Sequence, residues 1–160
     1  MRVLGTGWAS VTAGLGFTVE VRKDGALWAW GYNHVGELGD GTTTNRSRPV
    51  RIGTGTNWAS VSAGGDHTVA VKTDGTLWAW GWNVYGRLGD GTTATRATPV
   101  RIGTDTGWVM VEAGEYYTVA VKTDGTLWAW GGNYYGQLGD GTTTNRWAPC
   151  LLYTSDAADE

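Results

Sequence analysis

The sequence predicts an all-β fold: a β-propeller segment of about three four-stranded antiparallel blades, forming an open arc rather than a closed ring. Three observations carry this. The stretch VKTDGTLWAWGWNVYGRLGDGTT from Val71 returns as VRKDGALWAWGYNHVGELGDGTT from Val21 and as VKTDGTLWAWGGNYYGQLGDGTT from Val121, a period of 50 residues. Residues 51 to 100 match 101 to 150 at 34 of 50 positions, and 1 to 50 match 51 to 100 at 29, too many for chance. Each period holds short runs of strand-forming residues between glycine-rich turns, with no helical periodicity.

The second repeat shows the elements in order. Trp58 to Ala63 (WASVSA) reads as a strand ended by Gly64-Gly65. Thr68 to Lys72 and Thr76 to Trp80 read as two strands facing each other across Asp74-Gly75, a pair that tolerates the positive φ of a type I′ hairpin turn. In TLWAWG, strand alternation places Trp78 and Trp80 on one face and Leu77, Ala79 and Gly81 on the other. Gly81 to Thr95 is loop, rich in Gly, Asn, Asp and Thr. Pro99 to Ile102 reads as a short outer strand, where a proline that cannot donate to a ladder is tolerated. Four short antiparallel strands repeated along a chain make the blades of a propeller.

The repeats fall at residues 1–50, 51–100 and 101–150, with a non-repeat tail at 151–160. Met1-Arg2-Val3 aligns with Val50-Arg51-Ile52, as though the chain began inside the outer strand of a preceding blade. At the other end PVRIGT gives way to PCLLYTSDAADE, which shares no vocabulary with the repeats; a frame change or a foreign appended sequence is expected in preference to a natural terminus. Cys150 to Tyr153 nevertheless remains apolar enough for an outer strand.

A lone sheet of this size cannot cover two faces bearing tryptophan. Each indole can bury roughly 150–250 Å², a gross gain of about 4–6 kcal/mol at about 25 cal/mol/Å² and an upper bound. Blade-on-blade stacking is therefore expected to supply most of the stability. An arc of three leaves two blade faces uncovered, so further blades or self-association through those faces is expected.

Composition narrows the partners. Of 11 Trp, nine recur three to a repeat, leaving Trp82 and Trp147 outside the pattern. The net charge of −3 equals the contribution of Asp156, Asp159 and Glu160, so the repeats are neutral and give no electrostatic reason to expect nucleic acid or an anionic membrane. The single cysteine, Cys150, excludes an internal disulfide. No apolar run approaches membrane-spanning length, and Met1 to Ser10 lacks the apolar core of a signal peptide.

The repeated words resemble those of the regulator of chromosome condensation (RCC1) repeat family. The resemblance is carried by Ala63, Gly64 and Thr68; Asp74-Gly75; Leu77-Trp78-Ala79-Trp80-Gly81-x-Asn83; Gly86-x-Leu88-Gly89-Asp90-Gly91; and Arg96-x-x-Pro99-Val100. It covers residues 8 to 149. Kelch and WD signatures are missing. The resemblance implies a propeller usually closed by seven blades, of which this chain would supply less than half. It also implies a protein-binding platform, a role that in the family includes GTPase nucleotide exchange, chromatin docking, β-lactamase inhibition and ultraviolet reception. No family contact residue maps onto this sequence, and fold does not settle function.

Positions identical in all repeats are expected to be scaffold, and positions that differ are candidates for contact. Three windows differ: Leu15 to Phe17 with Gly65 to His67 and Glu115 to Tyr117; Tyr32 to Glu37 with Trp82 to Arg87 and Gly132 to Gln137; and Thr44 to Arg48 with Ala94 to Thr98 and Thr144 to Ala148. The candidate binding residues are Tyr32, His34, Trp82, Tyr85, Arg87, Tyr116, Tyr117, Tyr134 and Tyr135, the residue types from which binding hot spots are built. The competing reading is that these rings pack against neighbouring loops.

His34 and His67 occupy unrelated repeat positions without metal-ligand spacing around them. Asp40, Asp90 and Asp140 are single carboxylates, too few for an EF-hand-type calcium loop, and are expected to cap turns and to pair with Arg46, Arg96 and Arg146. No phosphate-binding glycine loop or catalytic triad is present. The sequence thus predicts a non-enzymatic scaffold without metal or cofactor that binds another protein through its loops. A lectin-like propeller is the alternative, and a guanine-nucleotide exchange factor has lower weight.

Overall fold

The computed structural model describes residues 6–152 and contains three four-stranded antiparallel sheets. The first blade is β1 (Trp8–Ala13), β2 (Phe17–Arg22), β3 (Leu27–Gly31) and β4 (Arg46–Arg51). The second is β5 (Trp58–Ala63), β6 (His67–Lys72), β7 (Leu77–Gly81) and β8 (Arg96–Arg101). The third is β9 (Trp108–Ala113), β10 (Tyr117–Lys122), β11 (Leu127–Gly131) and β12 (Arg146–Leu152). Each is a meander in chain order, and the sheets do not join into a closed one. Met1 to Val3, Tyr153 and the rest of the tail lie outside the described residues.

Two local details differ from the sequence reading. The hairpin between β6 and β7 is not type I′: Gly75 is at φ +80, whereas Asp74 is not in the left-handed region. Gly75 N–H donates to the Lys72 carbonyl at 2.9 Å and Lys72 N–H to the Thr76 carbonyl at 3.0 Å. This is the three-residue loop, a type I turn closed by one left-handed glycine. Asp74 can stay right-handed because its carboxylate is used instead, accepting the Thr76 N–H at 3.0 Å and hydroxyl at 2.6 Å. The outer strands also begin earlier than expected, at Arg46, Arg96 and Arg146. The ladder shifts register between Ala79 and Gly81, so the segment before Val100 bulges and accommodates Pro99 on the sheet edge.

The core lies between blades rather than within them. One cluster joins Val19, Leu27, Leu38 and Ile52 of the first blade to Trp58, Ala70 and Trp80 of the second. The other joins Val69, Leu77, Leu88 and Ile102 to Trp108, Ala120 and Trp130. Trp80 and Trp130 are fully buried, and their indole Nε1 atoms approach so closely that a Cβ on Gly39 or Gly89 would stand 2.6 Å away. Trp30, with no described blade in front of it, is only half-buried. The outward side of the third blade is likewise open: Val119, Val121 and Leu127 are half-buried, where Val69, Val71 and Leu77 are covered.

Candidate functional site

Repeated residues are consumed in holding loops still. Asn83 is fully buried at the head of the loop after β7. Its Nδ2 donates to Asp90 Oδ1 at 3.1 Å and to the Thr92 and Ala94 carbonyls at 3.0 Å, while its Oδ1 accepts the Leu88 N–H at 3.0 Å. Asp90 in turn accepts the Thr92 N–H and hydroxyl and pairs with Arg96 Nε at 3.0 Å. Arg46–Asp40 and Arg146–Asp140 repeat the pair at 2.8 Å. Partial burial works against ionising Asp90, but the Thr92, Arg96 and Asn83 bonds prevail and hold its pKa below the usual value. The asparagine was visible as a repeated letter, yet only coordinates assign it this role, since four partners along one loop have no spacing signature.

Stiff loops then carry the variable side chains. Trp82, Tyr85, Tyr116, Tyr134 and Tyr135 come together around a cleft of about 490 Å³ between the second and third blades, with Gln137, Thr143 and Asn145 on its walls. Tyr134 and Tyr135 are 80% and 84% exposed and meet edge-on at 5.1 Å. Tyr85 and Tyr116 also meet edge-on, at 6.1 Å. Tyr85 has φ +71, the left-handed region that a bulky side chain rarely enters, and it is the sole non-glycine residue there among those described.

Arg87 sits under this cleft rather than in it. It is fully buried, donating Nε to the Val84 carbonyl at 3.1 Å and Nη1 to the Glu115 carbonyl at 3.0 Å. Its guanidinium lies 4.7 Å from the Trp82 ring centre, 5.2 Å from Tyr116 and 5.8 Å from Tyr85. Burial lowers its pKa from the usual arginine value. Its counterparts Glu37 and Gln137 hold their own loops from the same position, accepting the N–H of Val35 at 2.9 Å and of Tyr135 at 2.8 Å. The Tyr116 phenol, beside Glu115, has its pKa raised by their hydrogen bond and by the glutamate charge.

The remaining candidates lie elsewhere. Tyr32 and His34 stack on each other at 5.9 Å on the first blade, exposed but away from the cleft. Tyr117 opens β10 half-buried, with its ring against Gly114. His67 is fully buried, and its Nε2 stands 3.0 Å from the Thr118 hydroxyl. Because that hydroxyl donates to the Arg87 carbonyl at 2.8 Å, the histidine must donate from Nε2.

The fold has solved counterparts. Prp20p of Saccharomyces cerevisiae, whose structure is described with its binding to Gsp1p and histones, superposes with a TM-score of 0.84 at 21% identity, over 95% of this chain and 40% of that one. Yeast RCC1 (Prp20) bound by Kap60 gives 0.81 at 21% identity, over 95% and 38%. Human WBSCR16 gives 0.56 at 20% identity, over 96% and 55%. The chain thus spans about 40% of the length of Prp20p, and at these identities the likeness concerns the fold. No curated protein matches the sequence. The regulator of chromosome condensation (RCC1) repeat model matches residues 24–71, 74–121 and 124–157, and a second model of the repeat matches 58–87 and 109–137. The first two matches run from one β2–β3-type hairpin to the next, so a family unit takes two strands from each of two neighbouring blades; the third begins at the last such hairpin and takes in β11 and β12. With two such units and part of a third along it, the chain belongs to the RCC1 repeat family.

Proposed function

We propose that the chain is a protein-interaction scaffold whose rigid blades present variable loops, with the aromatic cleft between the second and third blades as its binding site. The observation that carries this reading is the division of labour between positions. Residues common to all three repeats are spent on internal bonds and blade stacking, whereas positions that vary among the three place five aromatic rings from two blades around one cleft. Tyrosine and tryptophan offer large contact area with few rotatable bonds. Prp20p binds Gsp1p and histones and also Kap60, which supports a protein as partner without identifying it.

Lectin activity would use the same rings, but no carboxylate lines the cleft to accept sugar hydroxyls. Nucleotide exchange rests on the fold alone. Affinity capture with the intact chain and with a Tyr134→Ala/Tyr135→Ala chain tests the scaffold reading. Proteins retained by the first and lost by the second are expected; identical captured sets would remove the cleft from the proposal.

A further inference from the structure

The chemistry of the cleft restricts its occupant, granted the scaffold reading above. No charged residue lines it. The oxygens of its side-chain amides are already engaged: Gln137 Oε1 accepts the Tyr135 N–H and Asn145 Oδ1 accepts the Asn133 N–H, both at 2.8 Å. Asn133 itself is spent on Asp140, on the Thr142 and Thr144 carbonyls and on the Leu138 N–H. The amide groups left at the walls are donors, Gln137 Nε2 and Asn145 Nδ2, joined by the hydroxyls of Thr143 and the tyrosines, which can donate as well as accept. Beneath three of the rings sits the buried Arg87 cation, with the Asp66 and Glu115 carboxylates around it, so their inner faces already hold a cation and their outer faces are poor hosts for a second. Tyr134 and Tyr135, crossed at 90° and carrying no such cation, form an open apolar notch beside them.

A matching ligand is uncharged, rich in acceptors, poor in donors and ridged with compact apolar rings. A saccharide fails on the third and fourth counts, because each hydroxyl that accepts also donates and its rings are edged with hydroxyls. A polyproline II segment meets all four: its carbonyls project freely, its prolines have no N–H, and its pyrrolidine rings pack against aromatic side chains with little ordering cost. We infer that the cleft binds a proline-rich segment of a partner protein in the polyproline II conformation, with pyrrolidine rings on Tyr134 and Tyr135 and carbonyls facing Gln137 and Asn145.

The test is fluorescence anisotropy of an uncharged, dye-labelled deca-proline peptide titrated with the intact chain, with a Gly-Ser peptide of equal length and two hexasaccharides, maltohexaose and chitohexaose, as comparisons. A saturable rise for deca-proline alone is expected. It should weaken about tenfold for each of Tyr134→Ala and Tyr135→Ala, the loss typical of a contact ring. It should also weaken for Gln137→Glu, which keeps the acceptor for Tyr135 N–H but removes the donor. Thermal melts matching the parent chain show that the variants remain folded. A flat deca-proline trace overturns the inference, as does hexasaccharide binding that is lost with the same tyrosines. If the trace is flat while protein capture still depends on Tyr134 and Tyr135, the ligand class is wrong and the scaffold stands. If capture is also indifferent to them, both readings fall.

Discussion

Substitutions between repeats act as internal controls on single residues. His67 stands where the first blade has Phe17, and burial, with a smaller push from the Arg87 charge, lowers its pKa from 6.5 to about 3. The folded protein therefore holds a neutral imidazole that the unfolded chain would protonate. Its contribution is complete above about pH 6.5 and is lost as pH falls towards 3, at up to about 1.4 kcal/mol per unit. His67→Phe is expected to flatten the acid limb of a stability-versus-pH curve from denaturant melts; the limb left by the Asp40, Asp90 and Asp140 networks should persist. An unchanged slope would mean that His67 is solvated. Ala26 offers the converse case. Thr76 and Thr126 accept the Trp78 and Trp128 indole N–H at 2.8 Å, while Trp28 Nε1 is buried with no partner above Ala26. Ala26→Thr should supply it and stabilise the chain by about 1 kcal/mol; a lower melting temperature would show that the first blade has no room.

At the scale of the strand and turn, the same glycine has different jobs in two hairpins. Gly75 and Gly125 are both left-handed, at φ +80 and +82. A Cβ on Gly75 would fall 1.8 Å from the Thr106 carbonyl oxygen, and Gly75 itself accepts the Trp108 N–H at 3.1 Å. A Cβ on Gly125 would meet nothing. Gly125→Ala should cost only the backbone term, about 1 kcal/mol, and Gly75→Ala several times more because it separates two blades. Equal costs in chemical denaturation would deny the hairpin its part in stacking. Strand order and the faces of Trp78 and Trp80 were legible from alternation, since a period of two residues states which side chain faces which way. The turn type was not, because Asp-Gly serves both the two-residue and three-residue loop and a side-chain bond to Thr76 decides between them. Nor was the cleft: Trp82 and Tyr116 were visible as unlike residues, but only blade geometry sets them beside Tyr134 and leaves Tyr32 and Tyr117 apart. Arg87 shows the limit most plainly, since a variable arginine among aromatic residues reads as a surface contact and is instead buried beneath them.

For the molecule as a whole, stability resides between blades, so the outward faces of the first and third blades are halves of an interface whose other halves are already drawn inside the chain. The third blade presents Val119, Val121 and Leu127, the counterparts of Val69, Val71 and Leu77, which receive Trp130. The first blade presents Trp8 and Trp30, the counterparts of residues that insert. One position breaks the match. Ala70 and Ala120 pack into the two interior clusters, but the first blade has Glu20 there, its Oε1 accepting the Ala9 N–H at 2.9 Å. Burial, which leaves Glu20 only 2% exposed, raises the pKa of this carboxyl against the pull of its backbone bonds, and an apolar blade stacked on this face would offer the carboxylate no partner. A carboxylate set just beneath an open sheet face guards against indiscriminate pairing. Glu20→Ala is therefore expected to increase self-association of the chain, read as a concentration-dependent rise in mass by light scattering near neutral pH. Adding Leu127→Lys, which places a charge on the receiving face, should reverse it. If Glu20→Ala leaves the mass unchanged at every concentration, the two faces do not recognise each other as the interior blades do, and whatever covers them is not another copy of this chain.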